Sequence, residues 1–477
     1  MIRGEELELR VEHFGSEGKS VARVDNFVVF VRGGIPGDTV TGRLIRVSKK
    51  FAEAEIAGVV VPSPLRVTPR CRFFGVCGGC TWQHLSYQGQ CDFKRLQVAD
   101  ALERIGGFTG VPVLPTMGAE DVFFYRNKME FSFGTRWLTR EEMEHARRSG
   151  KEDNPPDRFA LGLHIPQRFD RVLDIDECHL QSPASTAIVN TVRAFCRERN
   201  LSVYSTTTHT GFLRNLVIRE GKQTGEVMVN LVTSEEHDPT LRALCAALLQ
   251  EVPAITTIVN NITIRKSQVA VGEREIVYAG SGFITERIGR RRYRISANSF
   301  FQTNTVQAER LYDTVRRMAA LRPGDVVFDL YSGTGAIALH VADDAAAVVG
   351  IEAVASAVED ARKNAAENGV NNCTFVLGDL KDRLVGETAR PGDTPVPDVI
   401  LVDPPRAGMH PKVVEKILEM HPRRIVYVSC NPATQARDAK LLCEGGVYGV
   451  DEAQPVDMFP HTTHVENVLS LSTAGSM

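Results

Sequence analysis

The order of hydrophobic and polar positions divides this chain of 477 residues into three parts. In residues 1–61, the stretch SVARVDNFVVFVRGGIPGDTVTGRLIRV alternates apolar and polar residues between Gly- and Pro-rich turns, which predicts short strands. A small β-barrel is a natural way to close several short strands. Residues 62–295 follow a mixed pattern and are expected to form a central α+β domain.

In the last part, which we place at residues 296–477, the pattern of apolar and polar residues predicts repeated strand–turn–helix units. Five apolar runs predict strands there: DVVFDLY, AAVVGIE, CTFVLGD, DVILVDPP and RIVYVSC. Two segments between them predict helices: AIALHVA and SAVEDARKNAAENG, the second ending in an Asn-Gly cap. Alternating units of this kind predict an α/β fold with a Rossmann-like parallel sheet and helices on both of its faces.

Composition narrows the class of protein. The chain is 43% apolar and 24% charged, with a net charge of −3, as in a soluble globular protein. No apolar run approaches the roughly 18 residues that span a bilayer, and the charged start MIRGEELELRVEH is unlike a secretion signal, so we expect a cytoplasmic protein without membrane contact. Two polar stretches stand out: an expected exposed insertion, REEMEHARRSGKEDNPPDR, and the basic run RIGRRRYR at 287–294.

A glycine turn follows the first strand of the last part. DLYSGTG places Gly333 and Gly335 at the carboxyl end of that strand, where ligands bind in such sheets. Glu352 ends the next strand and could accept hydrogen bonds from ribose hydroxyls, and Asp379 ends the third and could face an adenine amino group. No third glycine follows at the dinucleotide offset, so S-adenosylmethionine fits better than a pyrophosphate cofactor. The alternative is a turn that serves helix packing only.

A thiol stands where the last of these strands stops. Cys430 ends RIVYVSC, and Asp403 ends the preceding strand at the same edge of the sheet. A free cysteine is more often a small buried apolar residue than a nucleophile. A carboxylate, a thiol and a methyl donor together nevertheless suit methylation of a weakly nucleophilic carbon such as uracil C5, because thiolate addition at C6 activates C5.

Five segments between residues 299 and 471 occur in the order found in one family: SFFQTN, DLYSGTG, LVDPPRAG, YVSCNP and HTTHVENVLSL. In these motifs the chain resembles the RNA 5-methyluridine methyltransferases. The resemblance implies an S-adenosylmethionine methyltransferase domain with Cys430 as nucleophile and Glu466 as the group that removes the C5 proton. It also implies contacts to the cofactor or the active site by four residues, with Asp379 in addition: Gln302, Tyr331, Glu352 and Asp403.

Three more cysteines, Cys71, Cys77 and Cys80, lie close together in CRFFGVCGGC, and Cys178 in DIDECHL is the best candidate for a fourth ligand. Four thiolates suit zinc or an iron–sulfur cluster, so spacing alone leaves both open, with ordinary buried cysteines as a third reading. One branch of the resembled family carries this spacing around a [4Fe–4S] cluster. The resemblance therefore implies that cluster.

The N-terminal segment resembles the TRAM domain, an OB-like RNA-binding barrel. Phosphate contacts are then expected from four basic residues, although a solvated strand face explains them equally well: Arg43, Arg46, Lys49 and Lys50. The branch with both barrel and cluster implies 23S rRNA as first substrate and tRNA as second. A non-catalytic RNA-binding iron–sulfur protein and a small-molecule methyltransferase are the rival readings. We expect a monomer without an obligate protein partner.

Overall fold

The computed structural model describes residues 1–15, 18–136, 159–166, 168–267, 270–380 and 396–474. The expected insertion, residues 140–158, lies outside these ranges, so its exposure stays a prediction. Within them, no helix has both the length and the apolar character needed to cross a membrane.

The N-terminal segment forms a closed five-stranded barrel, which confirms the prediction from its alternating pattern. Its strands are β1 (Glu6–Phe14), β2 (Ser20–Val24), β3 (Phe27–Arg32), β4 (Thr39–Val47) and β5 (Phe51–Val61). Their order around the barrel is β1-β2-β3-β5-β4, and β1 pairs with β4 to close it. Inward-facing residues such as Leu9, Val29 and Leu44 fill the barrel. Closure leaves no unpaired strand edge.

The central part is a seven-stranded sheet preceded by a helix. The elements are α1 (Tyr87–Ala101) with a π-helical extension (Leu102–Gly106), β6 (Lys128–Thr135), β7 (Phe159–Ile165), β8 (Arg168–Asp174), α2 (Pro183–Glu198), β9 (Leu213–Glu220), β10 (Val227–Thr233), α3 (Asp238–Glu251), β11 (Ile255–Ile262) and β12 (Arg274–Ala279). The order is β12-β11-β10-β9-β6-β7-β8, with only β10 and β11 parallel. Apolar residues of α2 and α3 pack on one face of this sheet, which confirms the α+β expectation.

The basic run forms a hairpin of β13 (Phe283–Ile288) and β14 (Arg291–Ser296). Arg291 donates to Asp343 at 2.5 Å, and Arg294 lies over the ring of Phe283 at 3.7 Å. Arg287 and Arg292 face each other across the hairpin, and both are exposed. Arg291 and Arg294 therefore make contacts within the protein, whereas Arg287 and Arg292 are exposed and could contact a phosphate.

The C-terminal part is a seven-stranded sheet with helices on both faces. Its elements are α4 (Thr305–Ala319), β15 (Val326–Leu330), α5 (Ala336–Val341), β16 (Ala347–Glu352), α6 (Ala355–Glu367), β17 (Cys373–Leu377), β18 (Val399–Val402), α7 (Pro411–Met420), β19 (Arg424–Ser429), α8 (Pro432–Cys443), β20 (Tyr448–Val456) and β21 (Glu466–Thr473), with 3-10 turns at Ala342–Asp344 and Glu444–Gly446. The order is β17-β16-β15-β18-β19-β21-β20.

Strand residues of this sheet alternate between two apolar layers. Val399 and Leu401 pack with α4, α5 and α6, whereas Ile400 and Val402 pack with α1, α7 and α8. The five predicted strands are parallel, as expected. The pattern did not predict β20 or β21, and β21 lies antiparallel to both of its neighbours.

The domain limits at 61/62 and 295/296 stay predictions. Ile284 of β13 and Val259 of β11 belong to the same apolar cluster as Leu311 of α4. The second predicted limit therefore crosses a shared core.

Candidate active site

The glycine turn between β15 and α5 has an unusual backbone. Tyr331 has φ 67°, a left-handed conformation that is strained for a bulky side chain, and Gly333 and Gly335 have φ 54° and 80°. A Cβ atom on Gly335 would lie 2.7 Å from the ring of Phe375, so this glycine serves packing. A Cβ on Gly333 would meet nothing within 4 Å, so open space lies in front of the turn. The packing interpretation therefore applies to Gly335, and contact of Gly333 with a cofactor stays a prediction.

Side chains at the neighbouring strand ends surround this turn. Glu352 accepts hydrogen bonds from the backbone N–H of Gly333 at 3.0 Å and of Val354 at 2.8 Å. Asp379 is exposed, and burial together with Asp438 and Asp379 raises the pKa of Tyr331 to about 12. The carboxylates at the ends of β16 and β17 therefore lie beside the turn, as the strand order requires.

Gln302 lies just before α4 and is fixed through its backbone. Its carbonyl accepts a hydrogen bond from Asn127 Nδ2 at 2.8 Å. Within the described ranges its side-chain amide makes no hydrogen bond, so it is free to contact a ligand. Asn304, two residues on, caps α4 and donates to the carbonyl of Met458 at 3.3 Å, close to the segment that leads to Glu466.

Two buried polar atoms beside the turn lack partners among the described residues: Asp329 Oδ1 and Ser332 Oγ. The other carboxylate oxygen of Asp329 accepts a hydrogen bond from the N–H of Ala338 at 3.1 Å. Burial, together with Asp403, raises the pKa of Asp329 to about 8. Buried polar groups are normally satisfied, so a polar ligand fits here.

Cys430 follows β19 and precedes α8. Asn431 caps that helix by accepting from the N–H of Ala433 at 3.1 Å, and Pro432 occupies its first turn. The last pair between β19 and β21 is Ser429 with Asn467. Cys430 and Glu466 are the next residues along the chain from this pair, and Glu466 is close enough to raise the pKa of the Cys430 thiol. Asn431 and Pro432 therefore end the strand segment after Cys430 and start the next helix.

Asp403 and Arg406 belong to the loop after β18, which packs on the start of α8. The carbonyl of Arg406 accepts hydrogen bonds from Asn431 Nδ2 at 3.1 Å and from Thr434 Oγ1 at 3.2 Å. The side chain of Arg406 lies close enough to Cys430 to lower the pKa of its thiol, and Arg406 Nη2 lies 3.4 Å from His464 Nδ1. The loop thus brings a cation to the thiol.

Burial and carboxylates dominate the electrostatics of this site. Burial and Glu466 raise the pKa of the Cys430 thiol, and Arg406 opposes them. Burial raises the pKa of Asp403 to about 7, and burial together with Asp403 raises the pKa of Glu466 well above its usual range. The site is rich in acids that favour either a proton or a nearby cation.

Sequence reasoning identified Cys430, Asp403 and Glu466, which the fold brings to one edge, but it missed Arg406 and His464. Arg406 stands directly after the strand-end Asp-Pro-Pro, and that position was the available signal. His464 stands two residues before Glu466, on the segment that enters β21.

The four cysteines predicted as ligands line one small cavity: Cys71, Cys77, Cys80 and Cys178. Phe73, Phe74 and Leu163 supply much of its apolar wall. Burial raises the pKa of Cys77 to about 11 and that of Cys80 to about 12. As the side chains of the described ranges stand, no group of three or more His, Cys, Asp or Glu residues could hold a single metal ion.

The loop of residues 71–80, which carries Cys71, Cys77 and Cys80 and is called the cysteine loop below, depends on its glycines and on Gln83. A Cβ atom on Gly78 would lie 2.7 Å from the carbonyl of His164, so only glycine lets the loop pack against β7. Gln83 accepts a hydrogen bond from the N–H of Cys71 at 3.1 Å and donates to Cys80 Sγ at 3.3 Å. This amide therefore ties the two ends of the loop together.

The basic residues of the barrel divide into two pairs. Arg43 bonds Glu6 at 2.8 Å and Arg46 bonds Glu53 at 3.4 Å. Lys49 and Lys50 are exposed, and neither forms an ion pair with another described residue. These two lysines remain the clearer expectation for contact with phosphate.

Comparisons with known proteins agree with this architecture. The family model described as tRNA (Uracil-5-)-methyltransferase matches residues 222–387 and 393–474, and the TRAM domain model matches residues 2–57. Proteins named as uncharacterized RNA methyltransferases from Chlorobaculum tepidum and Bacteroides thetaiotaomicron are 42% and 44% identical, over 99% and 96% of this chain and 97% and 99% of their own lengths.

A solved structure has the same architecture over almost the whole chain. It is the Pyrococcus abyssi tRNA (uracil-54, C5)-methyltransferase in complex with S-adenosyl-L-homocysteine. The match has a TM-score of 0.73 and 32% identity, and it covers 98% of this chain and 100% of that one.

Proposed function

Because the chain belongs to the tRNA (uracil-5-)-methyltransferase family and carries a TRAM domain, we propose that it methylates C5 of a uridine in RNA through a covalent bond between Cys430 and uracil C6. One observation supports the proposal: β19 and β21 pair up to Ser429 and Asn467, the neighbours of Cys430 and Glu466, and Glu466 acts on the pKa of the Cys430 thiol. Asp403 follows the adjoining strand β18. A thiol and a carboxyl group in this arrangement can serve opposite ends of one C5–C6 bond.

S-adenosylmethionine is the cofactor of this fold, and the residues present fit it. The free space before Gly333 and the unpartnered atoms of Asp329 and Ser332 suit a polar ligand, and the acidic surroundings suit its sulfonium charge. We assign its binding to six residues: Gln302, Tyr331, Gly333, Glu352, Asp379 and Asp403. Gly335, the seventh predicted residue, shapes the turn by packing against Phe375. When bound, the cofactor supplies the methyl group.

The chain's own residues divide the remaining work. Arg406 stabilises the Cys430 thiolate, which adds to C6 and moves the electron pair of the C5–C6 double bond onto C5. After C5 has gained its methyl group, the Glu466 carboxylate takes the C5 proton. The double bond forms again, the C6–S bond breaks, and Cys430 leaves as a thiolate. Asp403 is the next candidate for the base, since its pKa lies at about 7.

We further propose that Cys71, Cys77, Cys80 and Cys178 hold a [4Fe–4S] cluster. Four thiols around one cavity, none of them in a disulfide, match the ligand set of such a cluster. No redox step occurs in the methyl transfer, so we expect the cluster to be structural.

We propose 23S rRNA as the substrate, since the barrel and the four cysteines together resemble the rRNA branch of the family. A tRNA uridine is the second candidate, because the Pyrococcus abyssi tRNA enzyme aligns with 98% of this chain. A small-molecule methyltransferase has no use for a TRAM domain, and an RNA-binding sensor has no use for Cys430, Asp403 and Glu466 together. A cytoplasmic location, a monomeric state and the lack of an obligate protein partner stay predictions.

The test is to map 5-methyluridine in 23S rRNA and tRNA from cells with and without the gene. We expect one modified position in 23S rRNA to disappear, and we expect wild-type protein but not Cys430→Ala to restore it. Loss confined to tRNA would reassign the substrate. Unchanged 5-methyluridine in both RNAs would overturn the proposed activity.

A further inference from the structure

The segment Asp457–Val465 joins β20 to β21 and leads directly into Glu466. It contains His461 in a left-handed conformation with φ 66°, and His464, which contacts Arg406. Much of its support comes from residues 81–94, which follow the cysteine loop more than 350 positions earlier in the chain. The segment next to the proposed base is therefore held by a distant part of the sequence.

A buried ion pair fixes the start of this segment. Lys94 of α1 and Asp457 are both fully buried, and Lys94 Nζ lies 2.5 Å from Asp457 Oδ1. Lys94 also donates to the carbonyl of Phe459 at 3.1 Å, and Tyr87 donates to Asp457 Oδ2 at 2.9 Å. One lysine thus binds both a side chain and a main-chain oxygen of the segment.

A second group of contacts holds the middle of the segment at His461. Gln90 of α1 accepts a hydrogen bond from the backbone N–H of His461 at 2.8 Å. The N–H groups of Thr81 and Trp82 donate to its carbonyl at 2.9 and 3.0 Å. Thr81 directly follows Cys80, so the cysteine loop and the segment before Glu466 are joined by main-chain hydrogen bonds.

Removing two charges from water is costly, and apolar residues of similar volume often stabilise a core as well as a buried ion pair does. The pair of Lys94 and Asp457 therefore suggests a role in fixing geometry. Lys94 contacts the segment from α1, which lies outside the C-terminal sheet. Glu466 is the first residue of β21, so the position of its carboxyl group depends on the segment Asp457–Val465 that precedes it.

We propose that Lys94 and Asp457 are positioning residues that fix the segment Asp457–Val465 and thereby aim Glu466 at the C5 proton of the uridine. This inference rests on the proposed function. Cys430 is held mainly by the loop of Arg406 and by the start of α8, and this loop meets the segment at the contact of Arg406 with His464. Loss of the ion pair should therefore slow proton removal more than thiol addition.

The variant Asp457→Asn keeps the shape and removes the charge, and Lys94→Met removes the other partner. We measure kcat, KM for RNA, and the fraction of enzyme found as a covalent RNA complex on a denaturing gel during turnover. A displacement of about 1 Å can cost roughly 100-fold, so we expect kcat to fall about tenfold, with KM within about twofold and excess covalent complex. Lys363→Met, in the exposed pair with Glu359 at 2.7 Å, is the control and should change nothing.

Glu466→Gln is run beside these variants and should accumulate the complex most strongly. If it accumulates complex and folded Asp457→Asn does not, the positioning role is wrong. If Glu466→Gln itself accumulates none, the proposed base is wrong and this inference fails with it. Should Asp457→Asn fail to fold, Tyr87→Phe removes one hydrogen bond from the same carboxylate without a change of charge. Folded Tyr87→Phe enzyme without excess complex would then overturn the inference.

Discussion

The two thiol-bearing regions of this protein use the same functional group in opposite surroundings. Cys430 has a nearby cation, because the guanidinium of Arg406 opposes the rise in the thiol's pKa that burial and Glu466 cause. The cavity of the four cysteines has an apolar wall and includes Glu177, and no Lys or Arg is among the described residues that line it. Arg72 and Arg126 act on Cys71 and Cys178 only from outside this lining. A thiol beside a cation can act as a nucleophile, whereas four thiols around an apolar cavity suit a bound cationic centre.

The largest effect is expected at Cys430. Cys430→Ala removes the only group proposed to activate C5, so methylation should fall by at least about 10⁴-fold. The assay follows transfer of labelled methyl groups to RNA. Cys443→Ala changes another half-buried thiol of the same domain and should keep nearly full activity. Substantial methylation by Cys430→Ala would remove the distinction between the two regions.

The second effect concerns the four-cysteine cavity. Protein purified without oxygen should be brown and contain iron and sulfide, and Cys178→Ala should lose both, because three thiolates leave one iron without a protein ligand. Metal and sulfide analysis measures this directly. Cys245→Ala, which changes a buried thiol of α3, should retain them. Stoichiometric zinc without iron in the wild-type protein would contradict the cluster.

The sequence pattern predicted the four-cysteine region and part of the Cys430 site, but not all of the residues around Cys430. Cys71, Cys77 and Cys80 lie within ten residues, and the parallel strands place Cys430 and Asp403 at one edge by a general rule. The position of Glu466 could be implied only by resemblance, because it depends on β21 entering the sheet antiparallel between β19 and β20. Neither the contact of Arg406 with Cys430 nor that of Lys94 with Asp457 leaves a periodic pattern, since each joins separate elements.

A third, smaller effect concerns the cation beside Cys430. Arg406 lowers the pKa of this thiol, so Arg406→Gln should raise it and reduce the thiolate fraction at a given pH. Alkylation of Cys430 by iodoacetamide should then slow by about tenfold at neutral pH, with the rise in rate displaced to higher pH. Arg437→Gln changes an arginine of α8 and is the control. An unshifted alkylation profile in Arg406→Gln would show that Arg406 does not set the thiol's pKa.

The last effect concerns stability rather than reactivity. Burial raises the pKa of Asp403 from its usual 3.8 to about 7, so the folded state holds this proton more tightly than the unfolded state. The resulting stability is present below pH 4 and is lost as pH rises through about 7. Asp403→Asn escapes this loss and should be more stable than the wild type at pH 8 by about 2 kcal/mol, although inactive.

Urea unfolding at two pH values measures this difference. Near pH 4 the two proteins should differ less, because Asp403 is then largely protonated in both states. An advantage of Asp403→Asn that is the same at pH 4 and pH 8 would show that ionisation of Asp403 is not its cause.

The most direct test of the account uses RNA that carries 5-fluorouridine. Fluorine cannot leave C5 as a proton does, so the wild-type protein should remain covalently bound to the RNA after methyl transfer. Digestion and mass spectrometry should then place the modified nucleotide on the peptide that contains Cys430, and Cys430→Ala should form no complex while Cys443→Ala forms it normally. A nucleotide on any other cysteine, or a complex with Cys430→Ala, would contradict the account.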